Sequence, residues 1–335
     1  MRDPSATRDQ SPSDPVIHEE PPMAGYSAEA PLEQERIAEA DAAIEQGLEV
    51  EGRSQLQMVV RRFLHHRLAV GALVIFFAML LLSTVGAALW HYSYATITNQ
   101  FATGPSLQHP FGTDTIGHDL FAQVMEGTAT SIKTALLVGL FATILGSVIG
   151  AVAGYYGKWA DSLLMRFTDL VLIFPLIAIL LVVANAASKL ANNWFPVAVI
   201  LSLLLWTFMA RLVRGTFLSL REKEFVEAQW AIGSSDFRII FRHMIPNARG
   251  PIIVNATLTV GAAMLIESAL SFLGLGIQPP QVSLGDLIAA GQDAATTLPW
   301  LFVFPAAFLI ILILCINFIG DGLRDALDPH QRLRQ

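Results

Sequence analysis

One polar segment, between two charge-free apolar runs, contains the side chains that are best placed to act together. It spans residues 222–250, EKEFVEAQWAIGSSDFRIIFRHMIPNARG, and we call it the elbow. Helical spacing puts two sets of residues on opposite faces of its first part: Phe225, Ala228, Gln229 and Ile232 on one, Lys223, Glu224 and Glu227 on the other. Such a surface makes or breaks no covalent bond. It is suited to push on a soluble partner, or to be pushed by one.

The elbow should bend at Gly233. Glycine adopts the positive φ that ends a helix, and we expect any side chain there to obstruct the turn. Ser234, Ser235 and Asp236 can cap a second helix, and Pro246 is expected to stop it. The sequence therefore predicts two short helices joined by a turn.

Sites for catalysis, metals or nucleotides are not predicted. The 8 histidines are scattered and form no H-E-x-x-H set. A phosphate-binding G-x-x-x-x-G-K-[ST] loop is missing, because the Gly157–Lys158 pair is followed by Trp159 and lacks the upstream glycine. We expect no catalytic residue, no metal site, no nucleic-acid partner and no cofactor bound by this chain.

The elements that must position the elbow are membrane spans. The chain has 335 residues, is 53% hydrophobic and 15% charged, and has a mean hydropathy of +0.53, which is typical of a multi-pass membrane protein. About 20 apolar residues cross a bilayer. We predict an all-α membrane protein with six transmembrane helices at 68–90, 132–156, 163–187, 195–216, 249–273 and 299–321.

Basic residues predict the direction of these spans, because lysine and arginine favour the cytosolic side. With both termini in the cytosol, only Lys133 and Lys189 of the 21 basic residues lie outside. This N-in, C-in topology puts the elbow, between helices 4 and 5, in the cytosol.

The sequence divides into three parts. Residues 1–55 form an acidic tail that we predict to be largely disordered, either regulatory or, as we favour, a solvated leader. Residues 56–67 are predicted to form an interfacial helix. Residues 68–335 form the transmembrane domain.

Glu267 is a carboxylate inside a predicted span. A charge at mid-bilayer costs roughly 2.5–3.5 kcal/mol on insertion scales, so Glu267 should face protein or water. Either it lines a translocation pathway, with Ser271 and Gln278, or it makes a buried hydrogen bond to a neighbouring helix or is protonated. The segment 274–300 is too apolar for a free loop and too broken for a span, and we expect it to dip back toward the pathway.

Several segments resemble one protein family. E-A-Q-x-x-x-G at 227–233, followed by Ile-Pro at 245–246, is similar to the EAA loop of binding-protein-dependent ABC importer permeases, although Gln229 and Ile245 replace the usual alanine and leucine. Residues 109–127, 265–288 and 317–329 resemble dipeptide/oligopeptide permeases of the C type, with His118 where arginine is usual. The similarity covers about residues 60–330.

The resemblance implies how such a chain would work. Its coupling loop, 217–249 here, would carry a coupling helix that docks on an ATPase subunit. The matching residues are Glu224, Phe225, Glu227, Ala228, Gln229, Gly233, Ser235, Asp236 and Pro246.

The family further implies partner proteins: a homologous second permease chain, two ATP-binding subunits that hold ATP and Mg, and an extracytoplasmic peptide-binding protein. The expected function is import of di- or oligopeptides across the plasma membrane by alternating access, with Glu267 contacting the peptide amino terminus. Import of nickel, glutathione or another small solute is the alternative, and a secondary transporter independent of ATP is a more distant one.

Overall fold

The computed structural model describes residues 55–173, 175, 178 and 193–327, and it contains helices and no sheet in these ranges. The all-α prediction is confirmed there. In chain order the helices are α1 Gln55–His65, α2 Arg67–Leu89, α3 Leu120–Tyr156, α4 Lys158–Ile173, α5 Trp194–Arg221, α6 Glu224–Ala231, α7 Asp236–Phe272, α8 Leu284–Gln292 and α9 Trp300–Leu327.

Five of the described helices are long and apolar enough to cross a membrane: α2, α3, α5, α7 and α9. They correspond to five of the predicted spans. The remaining predicted span, 163–187, begins within α4, but most of its residues after Ile173 lie outside the described ranges. The span at 163–187 and the tail at 1–54 therefore stay predictions, whereas residues 55–65 form the helix α1 at the expected place.

Helix α3 begins at Leu120, well before the predicted start of that span at residue 132. Asp119 caps it by accepting the backbone N–H of Ala122 at 2.7 Å. The first turns contain polar residues such as Gln123, which is 8% exposed because other segments of the protein cover it. Hydropathy marks the lipid-facing length of a helix, so it missed these protein-covered turns.

Helix α7 corrects the prediction that Pro246 ends a short helix. The chain is helical from Asp236 to Phe272, passing through a π-helical stretch at Ile239–Met244. Pro246 lies in the first turn of the α-helical part that follows, Ile245–Phe272. Pro246 therefore lies inside a continuous helix, directly after its π-helical stretch, and does not end it.

Helices α3 and α5 pack closely along three glycines spaced four apart, Gly146, Gly150 and Gly154, which we call the glycine seam. A Cβ added to Gly146 would lie 2.5 Å from the carbonyl oxygen of Trp206, and one on Gly154 would lie 2.5 Å from Cβ of Phe217. Only glycine lets the two backbones approach this closely, so the seam holds α3 and α5 together as one unit.

The segment between α7 and α9 contains a helix that the sequence did not predict. Helix α8 has 9 residues and is capped by Ser283, whose Oγ accepts the N–H of Asp286 at 3.3 Å. It packs against α7 and α9, and Ile277 and Leu284 are fully buried. The segment is thus a folded part of the protein, as its apolar composition required.

Candidate functional site

The elbow has the predicted bend. Helix α6 ends at Ala231, and Gly233 follows with φ of +73°, donating its N–H to the carbonyl oxygen of Trp230 at 3.0 Å. Apart from Gly233 and its two chain neighbours, no atom of the described residues lies within 4 Å of where a Cβ would stand on Gly233. The prediction that a side chain would be obstructed here gave the wrong reason, because no neighbouring group stands in the way. The backbone conformation favours glycine instead.

The predicted capping of the second helix differs from what forms. Ser235 occupies the N-cap position of α7 but makes no capping hydrogen bond with its side chain. Ser234 Oγ donates instead to Oε1 of Gln229 at 2.8 Å, and the Asp236 carboxylate accepts a hydrogen bond from Tyr155. The bond between Ser234 and Gln229 thus crosses the turn, whereas the bond to Asp236 ties the elbow to α3.

One side of the elbow is buried against the spans. Val226, in α6, is fully buried, although it belongs to neither of the two faces that helical spacing distinguished in the sequence. The apolar cluster that it joins connects the elbow to α3 and α5 and consists of Ala151, Tyr155, Met209, Val213, Phe217, Val226, Ile239, Ile240, Met244 and Ala248. This cluster fixes α6 and the start of α7 to the cytosolic ends predicted for α3 and α5.

The other side of the elbow exposes large apolar groups. We define the apolar elbow surface by four residues that are 37% to 74% exposed: Phe225, Ile232, Phe237 and Phe241. The rings of Phe237 and Phe241 contact each other, with centroids 4.4 Å apart. All the other predicted coupling residues except the half-buried Gln229 are also exposed: Glu224, Glu227, Ala228, Gly233, Ser235, Asp236 and Pro246. Exposed apolar side chains that lie together are common at sites of contact with another protein, a ligand or a membrane.

Tyr155, near the end of α3, contacts the elbow, and the sequence did not point to it. Its hydroxyl donates to Asp236 Oδ1 at 2.7 Å and accepts a hydrogen bond from Trp230 Nε1 at 3.1 Å. The guanidinium of Arg221 lies 6.0 Å from the centroid of the Trp230 ring, at the limit of a cation–π contact. The partners of Tyr155 lie 81 and 75 positions away in the chain, so no spacing pattern could have revealed it.

Glu267 lies at the centre of a buried hydrogen-bond network. Its Oε1 accepts from Ser271 Oγ at 2.8 Å, and its Oε2 accepts from Ser131 Oγ at 3.2 Å and Ser268 Oγ at 3.3 Å. The carboxylate is fully buried within this chain. Of the two roles considered for Glu267 from the sequence, these contacts agree with the structural one, a buried hydrogen bond to a neighbouring helix.

The same serines hold the segment before α8. Ser131 Oγ accepts the backbone N–H of Leu284 at 3.3 Å, and Ser271 Oγ accepts that of Ile277 at 3.2 Å. Gln278 lies apart from this network and donates to the carbonyl oxygen of Gly274 at 2.9 Å. Of the three residues predicted for a pathway, the structure therefore brings Glu267 and Ser271 together and leaves Gln278 in its own turn.

Burial raises the pKa of Asp286, in the first turn of α8, above its ordinary value of 3.8. The folded state then binds this proton more tightly than the unfolded state, so stability falls as pH rises from the unfolded pKa through the folded one. We expect Asp286→Asn to raise the melting temperature by about 1–2 °C at pH 7. The gain should vanish below about pH 3.8. Thermal unfolding across pH checks this, with Asp293→Asn at the exposed end of α8 as the control, and a lower melting temperature at pH 7 would contradict it.

Two known protein families match parts of this chain. Residues 146–333 match the family described as binding-protein-dependent transport system inner membrane component. Residues 54–110 match the N-terminal transmembrane domain of oligopeptide transport permease C.

Similar whole proteins include the oligopeptide transport system permease protein OppC of Mycobacterium bovis, which is 41% identical over 83% of this chain and 96% of its own length. The OppC protein of Haemophilus influenzae is 38% identical over 85% of this chain and 92% of its own length. A solved structure, of inward-facing conformations of the MetNI methionine ABC transporter, matches with a TM-score of 0.51 at 18% identity. It covers 62% of this chain and 98% of the matched chain, and at that identity it shows a shared fold.

Proposed function

Because the chain belongs to the family of binding-protein-dependent transport system inner membrane components, we propose that it is a membrane-spanning permease subunit of an ATP-driven importer of di- or oligopeptides. It is a multi-pass membrane protein in a complex with other ABC transporter components. Two relatives that match most of its length are named for oligopeptide transport, which supports the peptide as substrate.

The arrangement in the membrane that we propose has six spans in the plasma membrane and both termini in the cytosol. The third span in chain order, predicted at 163–187, would consist of the end of α4 and the residues that follow it. The distribution of lysine and arginine supports the orientation, since only Lys133 and Lys189 would lie outside. The elbow would then face the cytosol.

The partners that we propose follow from the family. They are a second, homologous permease chain, two ATP-binding subunits that hold ATP and Mg, and an extracytoplasmic peptide-binding protein. This chain would bind no nucleotide and would carry the solute by alternating access.

The observation that carries the proposal is the two-sided elbow. Its inner side, around Val226, is packed onto α3 and α5, while its outer side presents the apolar elbow surface. A cytosolic ATPase subunit that binds Phe225, Ile232 and Phe237 would bury apolar area on docking, and Glu224 and Glu227 would set its register. Movement of that subunit would be passed to the spans through the buried side.

A role in the translocation pathway remains a prediction for Glu267, Ser271 and Gln278. The contacts of Glu267 support a structural role, because its carboxylate is fully occupied by serine hydroxyls inside this chain. Contact with a peptide amino terminus would require that network to open.

The proposed function is tested with the complete complex in proteoliposomes. The permease pair, the ATPase subunits and the binding protein are reconstituted, and uptake of a labelled oligopeptide is compared with uptake of labelled glutathione and nickel. We expect peptide uptake that requires both ATP and the binding protein. Uptake without ATP, or uptake of nickel or glutathione alone, would contradict the proposal.

Gly233→Val should lower peptide uptake about tenfold while the complex still assembles. The positive φ of +73° at Gly233 costs an L-residue roughly 1–2 kcal/mol, and a β-branched side chain resists it most. Gly233→Asn is the matched variant, because asparagine adopts this conformation readily and should keep most of the uptake. Equal uptake by wild type and Gly233→Val would rule out a constrained turn as part of coupling.

A further inference from the structure

We propose that Tyr155 is a positioning residue that fixes the angle of the elbow and passes its movement to α3. This inference rests on the proposed function and adds to it a residue outside the coupling loop. The hydroxyl of Tyr155 binds both halves of the elbow, Trp230 in α6 and Asp236 at the start of α7. Gly233 lies between these two partners. One group from another helix therefore bridges the turn.

A turn at glycine is by itself free to change its angle, because glycine accepts many backbone conformations. The bridge removes that freedom. Rotation of α6 relative to α7 must break either the 3.1 Å bond from Trp230 or the 2.7 Å bond to Asp236. While both bonds hold, a force applied to the apolar elbow surface moves α6 and α7 together instead of folding the turn.

Tyr155 also has a rigid support. Its ring is 5% exposed and belongs to the apolar cluster beneath the elbow. Its neighbour Gly154 is part of the glycine seam, where the backbone of α3 meets Arg214 and Phe217 of α5. A displacement of Tyr155 therefore moves α3 and α5 as one unit, since the seam leaves no space for them to slide separately.

Tyr155→Phe in the complete complex tests this bridge, because it removes the hydroxyl and keeps the ring. We expect normal assembly, peptide uptake lowered about fivefold, and ATP hydrolysed per peptide raised about threefold or more. Tyr94→Phe, which removes a hydroxyl on the predicted external side, is the control and should leave both values unchanged. Asp236→Ala removes the acceptor of the same bond, so adding Tyr155→Phe to it should lower uptake no further than Asp236→Ala alone does.

A second measurement reads the elbow angle directly. Spin labels are placed at two exposed positions, 231 in α6 and 242 in α7, after the single cysteine, Cys315, has been replaced by alanine. The distance distribution should be narrow in the wild-type background and broader with Tyr155→Phe.

The outcomes distinguish a failure of the proposed function from a failure of the role proposed for Tyr155. If wild type shows no ATP-driven uptake, the proposed function fails. If wild type transports peptide while Tyr155→Phe keeps the wild-type ratio of ATP to peptide and the narrow distribution, only the role of Tyr155 is overturned. Should the variant assemble poorly, the distance distribution in the assembled fraction still decides.

Discussion

Gly150→Val is expected to destabilise the folded chain by about 3 kcal/mol or more. A Cβ at this position would collide with the backbone oxygen of Ala210, and it would lie 2.9 Å from Cβ of Val213 and 3.0 Å from the backbone nitrogen of Arg214. Two of these three obstacles are backbone atoms, which cannot move aside by changing a rotamer. Helices α3 and α5 would have to move apart, and the apolar cluster that connects them to the elbow would lose its close packing as well.

The measurement is thermal unfolding of the chain in detergent, followed by size exclusion of a fluorescent fusion. Gly215→Val is the matched control, because no atom of the described residues lies within 4 Å of a Cβ there. We expect the control to unfold within a few degrees of wild type. Equal melting temperatures for the two variants would mean that the seam is not the close contact described above.

Glu267→Leu is expected to destabilise the chain by about 3 kcal/mol, because it leaves several buried hydroxyls without their acceptor. The hydroxyls of Ser131, Ser268 and Ser271 all donate to this carboxylate. Ser131 and Ser271 in turn accept the N–H groups of Leu284 and Ile277, so the segment before α8 should loosen too. Glu267→Gln keeps one acceptor oxygen and should cost less.

Comparing stability with transport separates the two interpretations of Glu267. A structural role predicts that uptake falls in proportion to the amount of folded complex, and that hydrogen exchange at Ile277 and Leu284 becomes faster. A pathway role predicts that Glu267→Gln loses uptake while its melting temperature and exchange stay at wild-type values. That second result would reverse the preference that the contacts support.

Hydropathy predicted the spans well where lipid, and not protein, surrounds the helix. The predicted starts at residues 68 and 299 lie within one residue of Arg67 and Trp300. Helices α3 and α7 extend far beyond their predicted starts, and in both cases the added turns are polar. At the start of α3, other parts of the chain cover residues 119–127, whereas at the start of α7 polar residues such as Arg238 and Arg242 are exposed. Sequence alone reports polarity, and a polar helical turn covered by protein has the same composition as a loop.

Local patterns also predicted the bend at Gly233 but not what stabilises it. A glycine after eight helical residues is a signal within the segment itself. The contacts of Tyr155 and the bond from Ser131 to Glu267 join residues 75 to 136 positions apart, and they depend on how the spans pack. The buried role of Val226 was missed for the same reason, because the inward face of a short helix is decided by what lies beneath it.

The continuity of α7 has a mechanical consequence. Its 37 residues extend for about 55 Å at 1.5 Å per residue, with Asp236 at one end and Glu267 near the other. If the Asp236 end is held, a tilt of about 5° displaces the far end by roughly 5 Å, more than a hydrogen bond can stretch. A small tilt of α7 relative to α3 is thereby large enough to break or remake the bond from Ser131 to Glu267, whereas Ser268 and Ser271 lie on α7 and move with the carboxylate.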